Sequence, residues 1–138
     1  MMGFLGVPVL LGTLEIATLA YDSIEVSNAA HAGAMYGMVS PTFAAATSTI
    51  TAAAQAEAPD FGDKLNVTPT TYYACSSALG GTKYTTQTAA VTACTGTGNH
   101  ALQFVQVVVS GTVTPPFHFP GLPATYTLSN TSVMEVEE

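Results

Sequence analysis

The stretch "GFLGVPVLLGTLEIATLAYDSIEVSNAAHAGAMYGMVS", residues 3–40, decides the fold. Its first part, 3–20, holds a single charge, Glu15. At 1.5 Å per residue that part spans roughly 27 Å, close to a hydrocarbon core of about 30 Å. The helical pattern does not stop there, because no proline interrupts it between Pro8 and Pro41. Pro8 falls in the first turns, where it costs less than in a helix centre. One helix of about 35 residues is about 50 Å long, more than a small globular domain can cover. Such a rod either spans a membrane and projects, or packs against copies of itself. A secretory signal is the rival reading. It calls for a basic leading segment, and the first Lys or Arg is Lys64.

The second half of the rod carries small residues at spacing four. Ala29, Gly33 and Gly37 form one row, Ala30 and Ala34 the next, and "GAMYG" is a GxxxG match. Small rows let helix backbones approach closely, which suits packing in an assembly. A helix lying on its own sheet explains the same row. Glu15 raises a sharper question, since an ionised carboxylate at a bilayer centre costs roughly 2.5–3.5 kcal/mol. The apolar half offers one cation, the α-amine of Met1, about 21 Å away along a single helix. A neighbouring subunit shifted along the axis would bring its amine to Glu15. Glu15 and Met1 are therefore expected to set the stagger between subunits. The plainer reading is a side chain that snorkels or stays protonated near Thr18.

After Pro41, "TFAAATSTITAAAQAEA" (42–58) mixes alanine, which favours helix, with Thr and Ser, which oppose it, and Pro59 follows. It predicts a second, shorter helix. From Lys64 the period changes. "LNVTPTTYYACSS", "KYTTQTAAVTAC", "ALQFVQVVVSGTVT" and "ATYTLSNTSVMEVEE" are rich in Val, Thr and Tyr and are separated by Gly or Pro. All four are expected as strands. In the third, Val105, Val107, Val109 and Val113 share one face, opposite Phe104, Gln106, Val108 and Thr112. In the last, Tyr126, Leu128, Met134 and Val136 alternate with Thr125, Thr127, Val133 and Glu135. One greasy and one mixed face suit an antiparallel sheet laid on a helix. "PPFHFPGLP" (115–123) is an extended excursion between the last two strands. The expected class is α+β, in three segments: a long hydrophobic helix over 1–40, a second helix and connection over 41–63, and an antiparallel β-domain over 64–138.

Composition narrows the function. The chain has two cations, Lys64 and Lys83, and a formal charge of −7, so a phosphate-tracking surface is excluded and with it nucleic-acid binding. Only 8% of residues are charged, and Thr and Ser supply the polar surface. Cys75 and Cys94 read as one disulfide formed in an oxidising compartment, and the other reading is two reduced thiols. Closing such a loop stabilises by roughly 3 kcal/mol in the chain-entropy picture. His31, His100 and His118 lack metal spacing, so no metal or cofactor is expected. Asp60 and Asp63 in "PDFGDKLN" read as a turn, without the ligand series of a Ca²⁺ loop. No nucleophile–base pattern is present, since GxSxG is absent around Ser110, and an enzyme is not expected.

Two regions together resemble the TadE-like pseudopilins of bacterial tight-adherence (type IVc) pilus systems. The first is "PVLLGTLEIATLAYDSIEVSNAAHAGAMYG" (8–37), where Ser27, Asn28, Ala29, Ala30, Gly33, Ala34 and Tyr36 match the family's small-residue stretch. His31 and Met35 stand where family members often carry arginine. The second is "VQVVVSGTVTPPFHFPGLPATYTLSNTSVMEV" (105–136), with its Val-rich strand, Pro- and Phe-rich loop and closing strand. The resemblance implies a pilin-like fold and a non-enzymatic, structural role. Such a subunit rests in the inner membrane, meets the pilus assembly machinery and other pilins, and is then built with copies of itself into an extracellular filament for surface adhesion. The alternative is a monomeric, membrane-anchored extracytoplasmic module whose loops bind a partner.

Overall fold

The computed structural model describes residues 3–116 and 123–137, leaving aside the side chains of 3–8 and 63. Met1 and most of the proline-rich excursion, His118 included, lie outside the described residues. Helix α1 runs Gly3–Gly37 as one uninterrupted element. It ends where Ser40 starts a new one. Ser40 is extended, its Oγ accepts from the Phe43 N–H at 3.4 Å, and Pro41 occupies the first helical turn, where its missing N–H costs nothing.

The second helix expected at 42–58 is two. Helix α2 is Pro41–Ala45 and α3 is Thr47–Ala56, broken at Ala46, whose ψ of 65° leaves the helical region. The break falls ahead of Thr47-Ser48-Thr49, the weakest helix formers of the segment. It lets Ala44 of α2 and Ile50 and Ala54 of α3 all reach the core. A turn at 57–61 and a short 3₁₀ segment, Gly62–Lys64, lead into the sheet.

The sheet has three antiparallel strands in the order β1-β2-β3, namely β1 Asn66–Cys75, β2 Ala101–Val113 and β3 Tyr126–Glu135. The first pair registers Asn66 with Ser110 and Cys75 with Ala101. The second registers Phe104 with Glu135 and Val113 with Tyr126. Three of the four expected strands are present. The segment expected as the second, 83–94, touches β1 only through a bridge between Tyr73 and Tyr84 and then forms helix α4, Gln87–Ala93. Thr86 caps that helix by accepting from the Ala89 N–H at 3.3 Å, and the alanines after it favour helix over strand. Cys94, just past its end, is disulfide-bonded to Cys75 at the end of β1, with Cα atoms 5.3 Å apart. The bond thus staples a small flap rather than two paired strands.

The core lies between the sheet and the helices. On β2, Val105, Val107 and Val109 are fully buried, as the alternation requires. Across from them α1 offers Val26, Ala29, Ala30 and Ala34, and α3 offers Ile50 and Ala54. Core residues therefore come from all three segments that the sequence separates. Glycine sets the closeness of the layers. A Cβ on Gly37 would sit 2.9 Å from Val105 Cγ2, and one on Gly33 would sit 3.1 Å from Val107 Cγ1. The row Ala29–Gly33–Gly37 is thus filled by this chain's own sheet and by α3.

Among the described residues, no helix is long and apolar enough to cross a membrane. From Val9 onward α1 carries three carboxylates, Glu15, Asp22 and Glu25, too many for one span. The span expected at 3–20 begins in side chains outside the described set.

Candidate functional site

Helix α1 has two faces of different chemistry. The inner face follows 15, 22, 26, 29, 33 and 37, steps of seven, four, three, four and four that keep to one side of a helix. Glu15, Asp22, Val26, Ala29, Gly33 and Gly37 are all buried along it. Gly37 lies over Val105 and Gly33 over Val107, so α1 crosses β2 lengthwise towards its Val113 end. The outer face follows 10, 14, 17, 21, 24, 28, 31 and 35, alternating steps of four and three. Its residues are Leu10, Leu14, Ala17, Tyr21, Ile24, Asn28, His31 and Met35, all exposed. Leu10 keeps 70% of its surface, Ile24 59% and Tyr21 55%, and Val9 and Ile16 extend the apolar strip beside them. Steps of four and three are the spacing at which two helices mesh side by side.

Charge divides the same way. All three carboxylates of α1 are turned inward: Glu15 is 5% exposed, Asp22 8% and Glu25 6%. The outer face carries none. A chain of net charge −7 thus keeps a strip about 40 Å long, from Leu10 to Met35, without a single acid.

The stagger-setting role expected for Glu15 needs its carboxyl at the subunit surface, and the structure places it under the chain's own cover instead. Ala29 is fully buried, and Gly33 and Gly37 serve the helix–sheet contact within one chain. None of these three is open to a neighbour.

Sequence reading missed the acid cluster that the fold assembles beneath α1. Asp22 and Asp60 line one cleft of about 260 Å³ with Phe61, Lys64 and Thr112–Thr114. Burial raises the pKa of Asp22, and the charge of Asp60 adds to the rise. Burial also raises that of Glu25. Asp60 and Asp22 push in the same direction, and a hydrogen bond from the Asp60 backbone opposes them. Glu25 Oε2 is buried with no hydrogen-bond partner among the described residues. A buried carboxylate with a free lone pair and two acids nearby favours its protonated form. The signal was legible in part, since Asp22 and Glu25 lie one turn apart on the side that Glu15 marks. Asp60 comes from a distant turn and could not be anticipated.

The described histidines lie apart from this cluster. His31 is exposed on the outer face of α1. The His100 ring lies 3.3 Å from both Ser76 Oγ and the Gly98 carbonyl. Among the described residues no three His, Cys, Asp or Glu side chains could hold a metal ion. On the far side of the sheet Tyr72 stacks on Phe104 at 5.4 Å. Lys83 Nζ sits 4.2 Å from the Tyr72 ring centre and donates to Gln106 Oε1 at 2.9 Å. That arrangement pins the segment before α4 to β1 and β2. No family model, no curated protein and no solved structure matches the chain, so the outer face of α1 and its acid-free strip stand on geometry alone.

Proposed function

We propose that this chain is a structural subunit that assembles with its own copies through the outer face of α1, forming a bacterial surface filament of the pilus or pseudopilus kind. The observation that carries the reading is the acid-free strip from Leu10 to Met35, apolar and exposed from Leu10 to Ile24. A helix face this apolar is normally buried against a partner. Here the sheet covers one side only. A contiguous exposed apolar patch such as the Leu10–Ile24 part marks an interaction surface. Another copy suits it because the strip is acid-free, so two chains of net charge −7 can meet there without opposing acids. In such an assembly the helices form the interior, and the Thr-rich sheet and the stapled α4 flap face outward. The resemblance to TadE-like pseudopilins agrees with this arrangement and supplies the expected partners: the assembly machinery and other pilins, met at the inner membrane before extraction. The membrane stage rests on 3–20, whose first six side chains lie outside the described residues.

The test is the double variant Leu14→Glu/Ile24→Glu, introduced into the full chain in its own cells. Negative-stain microscopy of sheared cell surfaces should show filaments with the parent chain and none with the variant, while the purified variant keeps its circular dichroism and melting temperature. Normal filaments from the variant would end the proposal.

A further inference from the structure

The cleft beneath α1 gathers more negative charge than the chain supplies cation for. Asp22 lines it as a buried group, and Asp60, Lys64, Thr112 and Thr114 line it as exposed ones, so it is open to solvent. Glu25 lies against the Asp60 side. The Asp60 N–H donates to its carboxyl, while Oε2, on a side chain 6% exposed, has no partner among the described residues. Three carboxyls thus converge from α1 and from the turn at 57–61, with one described cation, Lys64, beside them. Strand β2 brings no charge, and the Asp63 side chain lies outside the described residues. Burial raises the pKa of Asp22 and Glu25, and the neighbouring acids push the same way. The free chain therefore relieves the cluster by holding protons, and a cation seated among the carboxyls relieves it equally well.

The kind of cation follows from the spacing. Among the described residues, no three acids lie close enough to share one metal ion. A guanidinium is wider, a planar fork with five N–H donors, and it reaches separate carboxylates at once. Phe61 gives its plane an apolar wall, and the two threonines add hydroxyl acceptors. At about 260 Å³ the cleft is smaller than the roughly 300–1,000 Å³ of small-molecule pockets, so it takes the end of a side chain rather than a whole ligand.

The sequence selects the source. The chain has no arginine, and its two lysines are Lys64, already at the cleft, and Lys83, held by Gln106 and Tyr72 on the far side of the sheet. A second copy therefore brings no side chain of this kind. We infer that the cleft between Asp22 and Asp60 is a binding site for an arginine side chain carried by a different protein. It lies on the inner side of α1, so it does not depend on the contact proposed for the outer face.

Titration of the full chain with N-acetyl-arginine amide, read by backbone amide shifts, tests it. The shifts should saturate and centre on Asp60, Phe61 and Thr112–Thr114. The citrulline analogue, which keeps the shape without the charge, should give none, and the lysine analogue should bind several-fold more weakly. A short peptide with arginine inside it should bind at least as tightly as the amide, whereas free arginine, whose own carboxylate meets the acids, should bind less well. Affinity should rise with pH, by up to about tenfold per unit where one proton leaves for each ligand bound. Asp22→Asn/Asp60→Asn should abolish binding while the melting temperature holds or rises, because it removes a repulsion that opposes the fold. Lys64→Met should tighten binding by removing a like charge. Leu14→Glu/Ile24→Glu should leave affinity unchanged, which separates this site from the assembly surface. Equal shifts from the citrulline analogue, tighter binding of free arginine than of the peptide, displacement of the probe by an equal concentration of Ca²⁺, or an unchanged affinity in Asp22→Asn/Asp60→Asn would each overturn the inference.

Discussion

The two faces of α1 belong to one helix and share its apolar character, yet they do opposite work. The inner face is built from small residues and acids: Ala29, Gly33 and Gly37 bring the sheet within van der Waals distance, and Asp22 and Glu25 are buried in the lower half of the contact. The outer face carries large exposed apolar residues and no acid, and nothing among the described residues covers it. What matters is where volume sits. Small residues mark the side already satisfied by the fold, and large exposed ones mark the side still open. A small-residue row on a long helix is therefore a poor guide to where a partner binds when a sheet of the same chain is available.

Substitutions should separate the faces cleanly, the inner ones acting on stability and the outer ones on assembly. The largest stability loss is expected from opening the staple. Cys75→Ser/Cys94→Ser should cost about 3 kcal/mol in denaturant unfolding, because the unfolded chain regains the freedom of that loop. Next comes Val107→Ala, which empties a fully buried site beneath Gly33 and should cost about 2–3 kcal/mol. Gly37→Ala pushes a methyl to 2.9 Å from Val105 and should cost about 1–2 kcal/mol by forcing the helix away from the sheet. On the outer face, Ile24→Ser should change stability by less than about 0.5 kcal/mol while weakening assembly. If Ile24→Ser destabilises as much as Val107→Ala, the outer face is not free and the contrast fails.

The acids give a finer test by pH. Asp22 and Glu25 have pKa values raised above their ordinary 3.8 and 4.5, so the folded chain holds protons that the unfolded chain has lost. Where the folded state binds more protons, stability falls as pH rises. Unfolding free energy should therefore decline between the ordinary carboxylate range and the raised values, and the contribution should be fully present below that range. Glu25→Gln removes one of the two titrations and should flatten the slope, and a slope unchanged in that variant would mean the acids do not titrate as a buried group.

The long helix, its unbroken run past residue 20 and the inward alternation of β2 and β3 were legible in sequence, because each follows from a period of hydrophobic residues and from the absence of proline. The helix break at Ala46 was not, since no Gly or Pro marks it and the weak formers Thr47–Thr49 only permit it. The 83–94 segment misled for a physical reason: its threonines raise strand propensity, while the cap at Thr86 and the alanines after it decide the local fold. The pairing of Cys75 with Cys94 was one of two readings open to the sequence, and its consequence, a stapled flap over the β1 edge, needed the fold. Glu15 drew attention as an isolated acid. In the fold it is the first of an inward row whose lower members meet Asp60, a contact that only the turn at 57–61 creates.

The contrast between the faces is tested most directly by accessibility in the assembled state. A cysteine at Ile24 on the outer face and another at the exposed Glu57 past α3 can each be labelled with a maleimide, in dispersed chains and in filaments. Ile24→Cys should label fully in dispersed chains and be protected in filaments, while Glu57→Cys should label in both. Equal labelling of Ile24→Cys before and after assembly would contradict the assignment of α1's outer face as the surface on which copies meet.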